Sequence, residues 1–219
     1  MEERFENKFI FTRGDKKNYN LLIINCFLKK EYKNRIVNSI YYDNHKLDSL
    51  YQNINGFSTR AKYRIRWYNE INNTQVFFEK KIKLGLITKK QKINLGSFQN
   101  YISLQNFLYS KEFEKKIISF TDQDLMQVLR VSYKREYWED FEKKLRVTFD
   151  SQILAQKIYQ NKFNNSFFEI DSDILELKYK IKDHEFVKNK IKQANFNLRN
   201  QKFSKYVRSF LLLSDIGLH

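Results

Sequence analysis

Between Thr59 and Tyr68 the chain alternates with a strict two-residue period: Arg60, Lys62, Arg64 and Arg66 fall on one side, Ala61, Tyr63, Ile65 and Trp67 on the other. A β-strand gives that period two opposite faces. Same-face neighbours on a strand lie about 6.5–7 Å apart, so four cations in a row repel one another unless something anionic sits between them. The apolar face needs a cover of its own. A chain with this segment must build a sheet that buries one face and gathers positive charge on the other.

The residues that follow extend the pattern. A turn at 70–74 leads into a strand over 75–83, with Glu79, Lys81 and Lys83 on one face. The break at Leu84-Gly85 leads to a third strand over 87–95 carrying Thr88, Lys90 and Lys92. From Arg60 to Lys92 there are ten basic and two acidic residues, a net +8 that is half of the formal +16 of the whole chain (41 Lys+Arg against 25 Asp+Glu). The later strand over 174–180 sets Glu176, Lys178 and Lys180 against Leu175, Leu177 and Tyr179, and the first strand offers Glu6 with Lys8. Solvated sheet faces normally mix both signs. If these faces converge inside a barrel, they make a cationic lumen with isolated carboxylates. Arg gives bidentate contacts to phosphate oxygens and Lys supplies point charge; one or two carboxylates with phosphate oxygens and water suffice for Mg²⁺ or Mn²⁺.

The overall excess of positive charge asks for a polyanion and leaves nucleic acid, an acidic membrane surface and phosphates open. Composition narrows the classes. With 42% hydrophobic and 16% aromatic residues, 219 residues form a real core in one domain, or at most two small ones, rather than a disordered chain. The absence of proline and the five glycines exclude collagen-like and Pro- or Gly-rich classes. Cys26 is the single cysteine, so no intramolecular disulfide forms, and His45, His184 and His219 have no zinc-site spacing. No P-loop or Rossmann glycine string occurs. The apolar runs at 21–28 and 210–213 fall far short of the roughly 18 residues of a membrane span, and the acidic start is no secretory signal, which predicts a soluble, cytoplasmic protein.

Strands are expected at 4–12, 37–42, 59–68, 75–83, 87–95, 129–137, 145–150, 152–158 and 174–180. Helices are expected at 15–31 with Asp15 as cap, at 98–116, 122–128 and 185–194, and at 204–213 with Ser204 as N-cap. Hairpin connections dominate, so the fold class is α+β with a closed or nearly closed antiparallel barrel.

These segments together resemble the VTC (vacuolar transporter chaperone) domain. The resemblance rests on Arg4-Phe-Glu6-Asn-Lys8, Val37-Asn-Ser39-Ile-Tyr41-Tyr-Asp43, Arg60-Ala-Lys62-Tyr-Arg64-Ile-Arg66-Trp-Tyr68, Glu79-Lys-Lys81, Ser132-Tyr133-Lys-Arg135, Arg146-Val-Thr-Phe-Asp150, Leu175-Glu176-Leu-Lys178 and Phe203-Ser204-Lys205-Tyr206. It covers nearly the whole chain and places the protein among the triphosphate tunnel metalloenzymes, whose fold is an eight-stranded antiparallel barrel tunnel flanked by helices.

The resemblance implies an ATP-dependent polyphosphate polymerase using Mn²⁺ or Mg²⁺. Lys8, Lys62, Arg64, Arg66, Lys81, Lys90, Arg135, Arg146, Lys178 and Lys205 would hold phosphates, with Arg64, Arg66, Lys205 and Glu176 central to catalysis. Glu176 would bind the metal, assisted by Glu6; the first acidic position of the wider superfamily's opening motif is Arg4 here. The rival readings are an inorganic triphosphatase or nucleoside triphosphatase on the same tunnel and a non-catalytic polyphosphate- or nucleic-acid-binding module. Nucleic acid is disfavoured because Tyr63 and Trp67 lie opposite the arginines. A membrane-protein partner at the inner face of a membrane and the oligomeric state stay open.

Overall fold

A computed structural model of the chain describes residues 4–13, 17–85, 87–159, 162–163, 166–195 and 199–215. Its elements in order are β1 (Arg4–Phe11), α1 (Lys17–Asn25), β2 (Lys29–Asp43), α2 (Asp48–Ile54), β3 (Thr59–Tyr68), β4 (Thr74–Leu84), β5 (Ile87–Phe98), α3 (Tyr101–Leu108), α4 (Lys111–Thr121), β6 (Met126–Glu139), β7 (Arg146–Tyr159), the two-residue β8 (Lys162–Phe163) and β9 (Phe168–Glu169), β10 (Asp173–Lys180), α5 (His184–Gln193) and α6 (Lys205–Asp215). All recorded strand pairs are antiparallel.

The strand order is β1-β10-β7-β6-β2-β3-β4-β5, with β8 and β9 added against β7. The eight long strands therefore make the expected α+β tunnel, but the closure is not a ladder: among the described residues, β1 and β5 are edges that pair with no common partner. Side chains bridge the seam instead. Lys81 of β4 donates to Glu6 of β1 across 2.9 Å. The free edge of β1 is also covered, since Gln201 N donates to the Lys8 carbonyl at 2.8 Å and Asn200 Oδ1 accepts from Lys8 N at 2.9 Å. Both backbone groups of Lys8 are thus satisfied where an unpaired edge would invite another chain.

The outer faces carry the apolar residues. Tyr63, Ile65 and Trp67 of β3 join Val76 and Phe78 of β4 beneath Leu104 and Leu108 of α3 and Phe113 and Ile117 of α4. On the opposite flank Phe9, Phe11, Val147, Phe149, Leu175 and Leu177 pack under Tyr19 and Leu22 of α1 and Val187 of α5. A third core lies inside the curl, where Tyr206 and Leu213 of α6 meet Val131, Ile153, Ala155 and Ile174. Helix α6 therefore fills part of the interior, and its N-terminus faces the polar remainder.

Several boundaries differ from the sequence expectation. The helix expected at 15–31 ends at Asn25, and Asp15 lies outside the described residues. Strand β2 starts at Lys29 rather than 37, because its first half is polar on both faces and gives no alternation. Helix α2 was not expected; Asp43 builds it by accepting from Ser49 N and Leu50 N, each at 3.0 Å. The 98–116 helix is two helices: Asn100 caps α3, and Ser110 Oγ accepts from Phe113 N at 3.2 Å to start α4. The expected 122–128 helix does not form. Asp122 adopts a left-handed φ of 54° that ends α4, and β6 begins at Met126. The two strands expected at 145–150 and 152–158 are one, bent at Gln152 (φ 52°) where the register with β6 shifts. Ser204 caps α6 as expected, its Oγ accepting from Val207 N at 3.3 Å.

Candidate functional site

Residues directly opposed in an antiparallel ladder share a face, so register alone assembles the inner surface. Lys62 opposes Lys81 and Arg64 opposes Glu79; Lys81 in turn opposes Lys90. Across the barrel Lys8 opposes Glu176, Glu6 opposes Lys178, and Arg135 opposes Asp150. Apolar outer faces are held by the helices, and the charged residues have only the interior left to occupy.

One wall is closely paired. Arg135 grips Asp150 with two bonds, Nε to Oδ1 at 2.5 Å and Nη2 to Oδ2 at 2.6 Å. Lys205, the first residue of α6, adds a third at 2.5 Å to Asp150 Oδ2. Glu176 receives Lys178 Nζ at 2.6 Å, with Arg135 at 3.5 Å, Lys8 at 3.6 Å and Lys205 at 3.9 Å. Burial alone would raise the carboxyls of Glu176 and Asp150. The surrounding Lys178, Lys8, Lys205 and Arg135 reverse this for Glu176, and Arg135 and Lys205 do so for Asp150; both stay below the ordinary range. Burial disfavours the Lys8 ammonium, but Glu176 and Glu6 push it up to about 12.

The other wall is rich in cations. Glu79, 3% exposed, accepts Arg64 Nε at 2.8 Å and Nη2 at 2.7 Å, pairs with Lys90 and lies 3.9 Å from Arg66. Burial works against its charge, yet Arg64, Arg66 and Lys90 hold its carboxyl at about 2. Arg66 donates to Tyr133 Oη at 3.1 Å and to Ser39 Oγ at 3.3 Å. Lys62 has no carboxylate partner among the described residues and donates to Ser204 Oγ at 2.9 Å. Burial, reinforced by Lys8, Lys81, Arg60 and Arg64, pushes the Lys62 ammonium well below the ordinary lysine range. Burial, joined by Lys8, brings Lys81 down to about 8 against the pull of Glu6 and Glu176. Burial also lowers Lys90 despite Glu79.

The geometry brings Glu6, Lys8, Lys62, Arg64, Arg66, Lys81, Lys90, Arg135, Glu176, Lys178 and Lys205 to one lumen. It does not bring Arg146 into the network: that side chain is 44% exposed and pairs with Glu139 at 3.2 Å. Two residues given no role in the sequence reading, Glu79 and Asp150, each anchor an arginine. Their signal was a lone carboxylate on a cationic strand face, opposite an arginine once the register is known. Tyr133, buried and accepting from Arg66, was likewise quoted without a role.

The model of the VTC domain family matches residues 3–214. The chain belongs to the VTC domain family. Solved structures carry the same fold at low identity. A protein from Bacillus halodurans described as an adenylate cyclase candidate is 14% identical with a TM-score of 0.52, over 93% of this chain and 97% of that one. An adenylyl cyclase candidate from Hippeastrum, described as having a dominant triphosphatase activity, is 12% identical with a TM-score of 0.53, over 95% and 96% of the two chains. A third, from Vibrio parahaemolyticus, is 12% identical with a TM-score of 0.52, over 95% and 98%. No curated protein sequence matches the chain. No helix among the described residues is long and apolar enough to cross a membrane.

The VTC domain's carboxylates bear on a divalent metal in a particular way. Lys8 Nζ sits between Glu6 (3.5 Å) and Glu176 (3.6 Å), where a cation would be attracted. Among the described residues no three or more His, Cys, Asp or Glu side chains converge as a preformed cage. Two carboxylates beside a cationic lumen fit a hard ion that is completed by phosphate oxygens and water.

Proposed function

We propose that this VTC domain is a phosphotransferase that passes the γ-phosphate of ATP to a growing polyphosphate chain in its lumen, with Mn²⁺ or Mg²⁺. The observation that carries the reading is Lys62, a half-buried lysine with four cations around it and no carboxylate partner among the described residues. Buried charge of one sign is costly without an opposite charge to meet it, and a phosphate chain supplies that charge repeatedly along its length.

Phosphoryl transfer passes through a loose transition state, so catalysis consists mostly of positioning and charge stabilisation. Arg64 and Arg66 are set by Glu79, Ser39 and Tyr133 before any substrate arrives. Their guanidinium groups fit the equatorial oxygens of the transferring group. Lys62, Lys81, Lys90, Lys8, Lys178 and Arg135 hold the flanking phosphates, and Lys205 meets the transferring phosphate from the start of α6. Glu176, with Glu6, would hold the metal, which when bound neutralises phosphate oxygens as a Lewis acid.

A second reading is favoured by the triphosphatase activity described for the similar Hippeastrum protein: the same lumen with water as acceptor. Phosphorus NMR after incubation with ATP and Mn²⁺ separates the two. Long-chain signals are expected, and free phosphate alone would make the protein a triphosphatase. Arg64→Ala should cost about 10²–10³ in rate, and Glu176→Gln should abolish the metal dependence. Wild-type synthesis in both variants would remove the lumen as the site.

A further inference from the structure

Two inner strand faces run past the arginines and end in aromatic rings, and a third brings an arginine beside them. On β3 the residue two beyond Arg66 is Tyr68; on β6 the residue two beyond Arg135 is Tyr137; on β2 the residue two before Val37 is Arg35, which opposes Arg135 in register. The Arg35 guanidinium lies 5.6 Å from the ring centre of Tyr68, 5.7 Å from Tyr32 and 5.8 Å from Tyr137. Tyr32 and Tyr137 meet edge to face at 5.7 Å. Arg35 is exposed, Tyr32 is 44% exposed, and no carboxylate pairs with Arg35 among the described residues. Tyr137 is within electrostatic reach of both Arg135 and Arg35, so the ring cluster adjoins the lumen rather than standing apart from it.

Such a cluster is unlike the rest of the tunnel. The lumen presents cations in bulk, whereas this rim presents one planar cation framed by three flat rings. Phosphates gain little from rings, but a nucleobase offers a π-face that stacks on tyrosine and on a guanidinium plane. The rim also lies beyond the last phosphate-facing arginines, the direction in which the nucleoside end of a triphosphate held by them would extend. We propose that Tyr32, Arg35, Tyr68 and Tyr137 form the docking site for the nucleobase of the nucleoside triphosphate donor, so that the domain distinguishes a nucleotide from an inorganic phosphate chain. This deepens the phosphotransferase reading and rests on it. Stacking is tolerant of base identity, so ATP and GTP are held alike.

The test compares calorimetric titrations of ATP and inorganic triphosphate, each with Mn²⁺, into wild type, Tyr32→Leu and Arg35→Lys. Both substitutions are at exposed positions, and Arg35→Lys keeps the charge while removing the plane. Wild type is expected to bind ATP more tightly than triphosphate. Each variant should weaken ATP about tenfold, the lower end of what one stacked base contributes, and leave triphosphate within twofold. Parallel losses for both ligands, or no loss for ATP, overturn the rim. A wild type that binds triphosphate with no gain from the nucleoside overturns it too, while leaving the lumen reading standing. A wild type that binds neither ligand overturns the lumen reading and the rim with it.

Discussion

The two walls of the lumen are built from the same residue types and behave oppositely. Along β6, β7 and β10, Arg135, Lys205 and Lys178 are matched to Asp150 and Glu176. Along β3, β4 and β5, burial and mutual repulsion lower Lys62, Lys81 and Lys90, with Glu79 the carboxylate between strands. The first wall pairs its cations with carboxylates. The second is incomplete, and an incoming polyanion would complete it. Residues on the two walls should therefore separate stability from binding.

The largest effect is expected on the matched wall. Arg135→Ala takes the bidentate partner from Asp150, fully buried, and leaves it Lys205 alone; breaking a buried pair from one side costs about 3–5 kcal/mol where no partner remains, and about 3 kcal/mol is expected here. Urea unfolding checks this; a loss below about 1 kcal/mol would mean the pair is dispensable. On the cationic wall Lys62→Met should go the other way, leaving stability within about 1 kcal/mol of wild type or above it, since it removes a charge that burial and its neighbours already disfavour. A loss comparable to that of Arg135→Ala would erase the distinction between the walls.

The pH dependence sharpens the same contrast. Lys81 sits at about 8 in the folded chain, below its ordinary value of 10.5. Between those values the unfolded chain binds more protons, so this lysine makes the unliganded protein more stable as pH rises through that window. A bound polyanion favours the ammonium, so triphosphate affinity should fall as pH rises through about 8. Lys81→Arg keeps the charge and should flatten the fall; an unchanged profile would place the titration elsewhere. The smallest effect is expected off the walls. Lys188, 65% exposed and 3.8 Å from Glu185, should change stability by less than about 0.5 kcal/mol on mutation to Ala, with no change in binding.

How much of this was legible in the sequence follows from where periodicity is unambiguous. The β3 face could be read because four cations alternate with residues that the helices bury, and its strand ends match the structure. The first half of β2 could not, since residues exposed on both sides carry no alternation. The break between α3 and α4 was hidden because apolar spacing continues across it, and only the Ser110 cap marks it. Most of the residues that the structure brings to the lumen were named from strand faces and the VTC resemblance. The difference between the walls was not, because pairing depends on register. Arg135 and Asp150 are 15 residues apart, and nothing local links them. Arg146 looks equivalent to Arg135 along the chain, yet it faces Glu139 instead.

The central claim is that the cationic wall exists to hold a phosphate chain. Calorimetric titration of inorganic triphosphate into wild type and Lys62→Met tests it most directly. Saturable binding by the wild type, weakened about 10–100-fold in a fully folded Lys62→Met as befits one lost charge-assisted bond, is the predicted result. Equal affinity in the two proteins would contradict it.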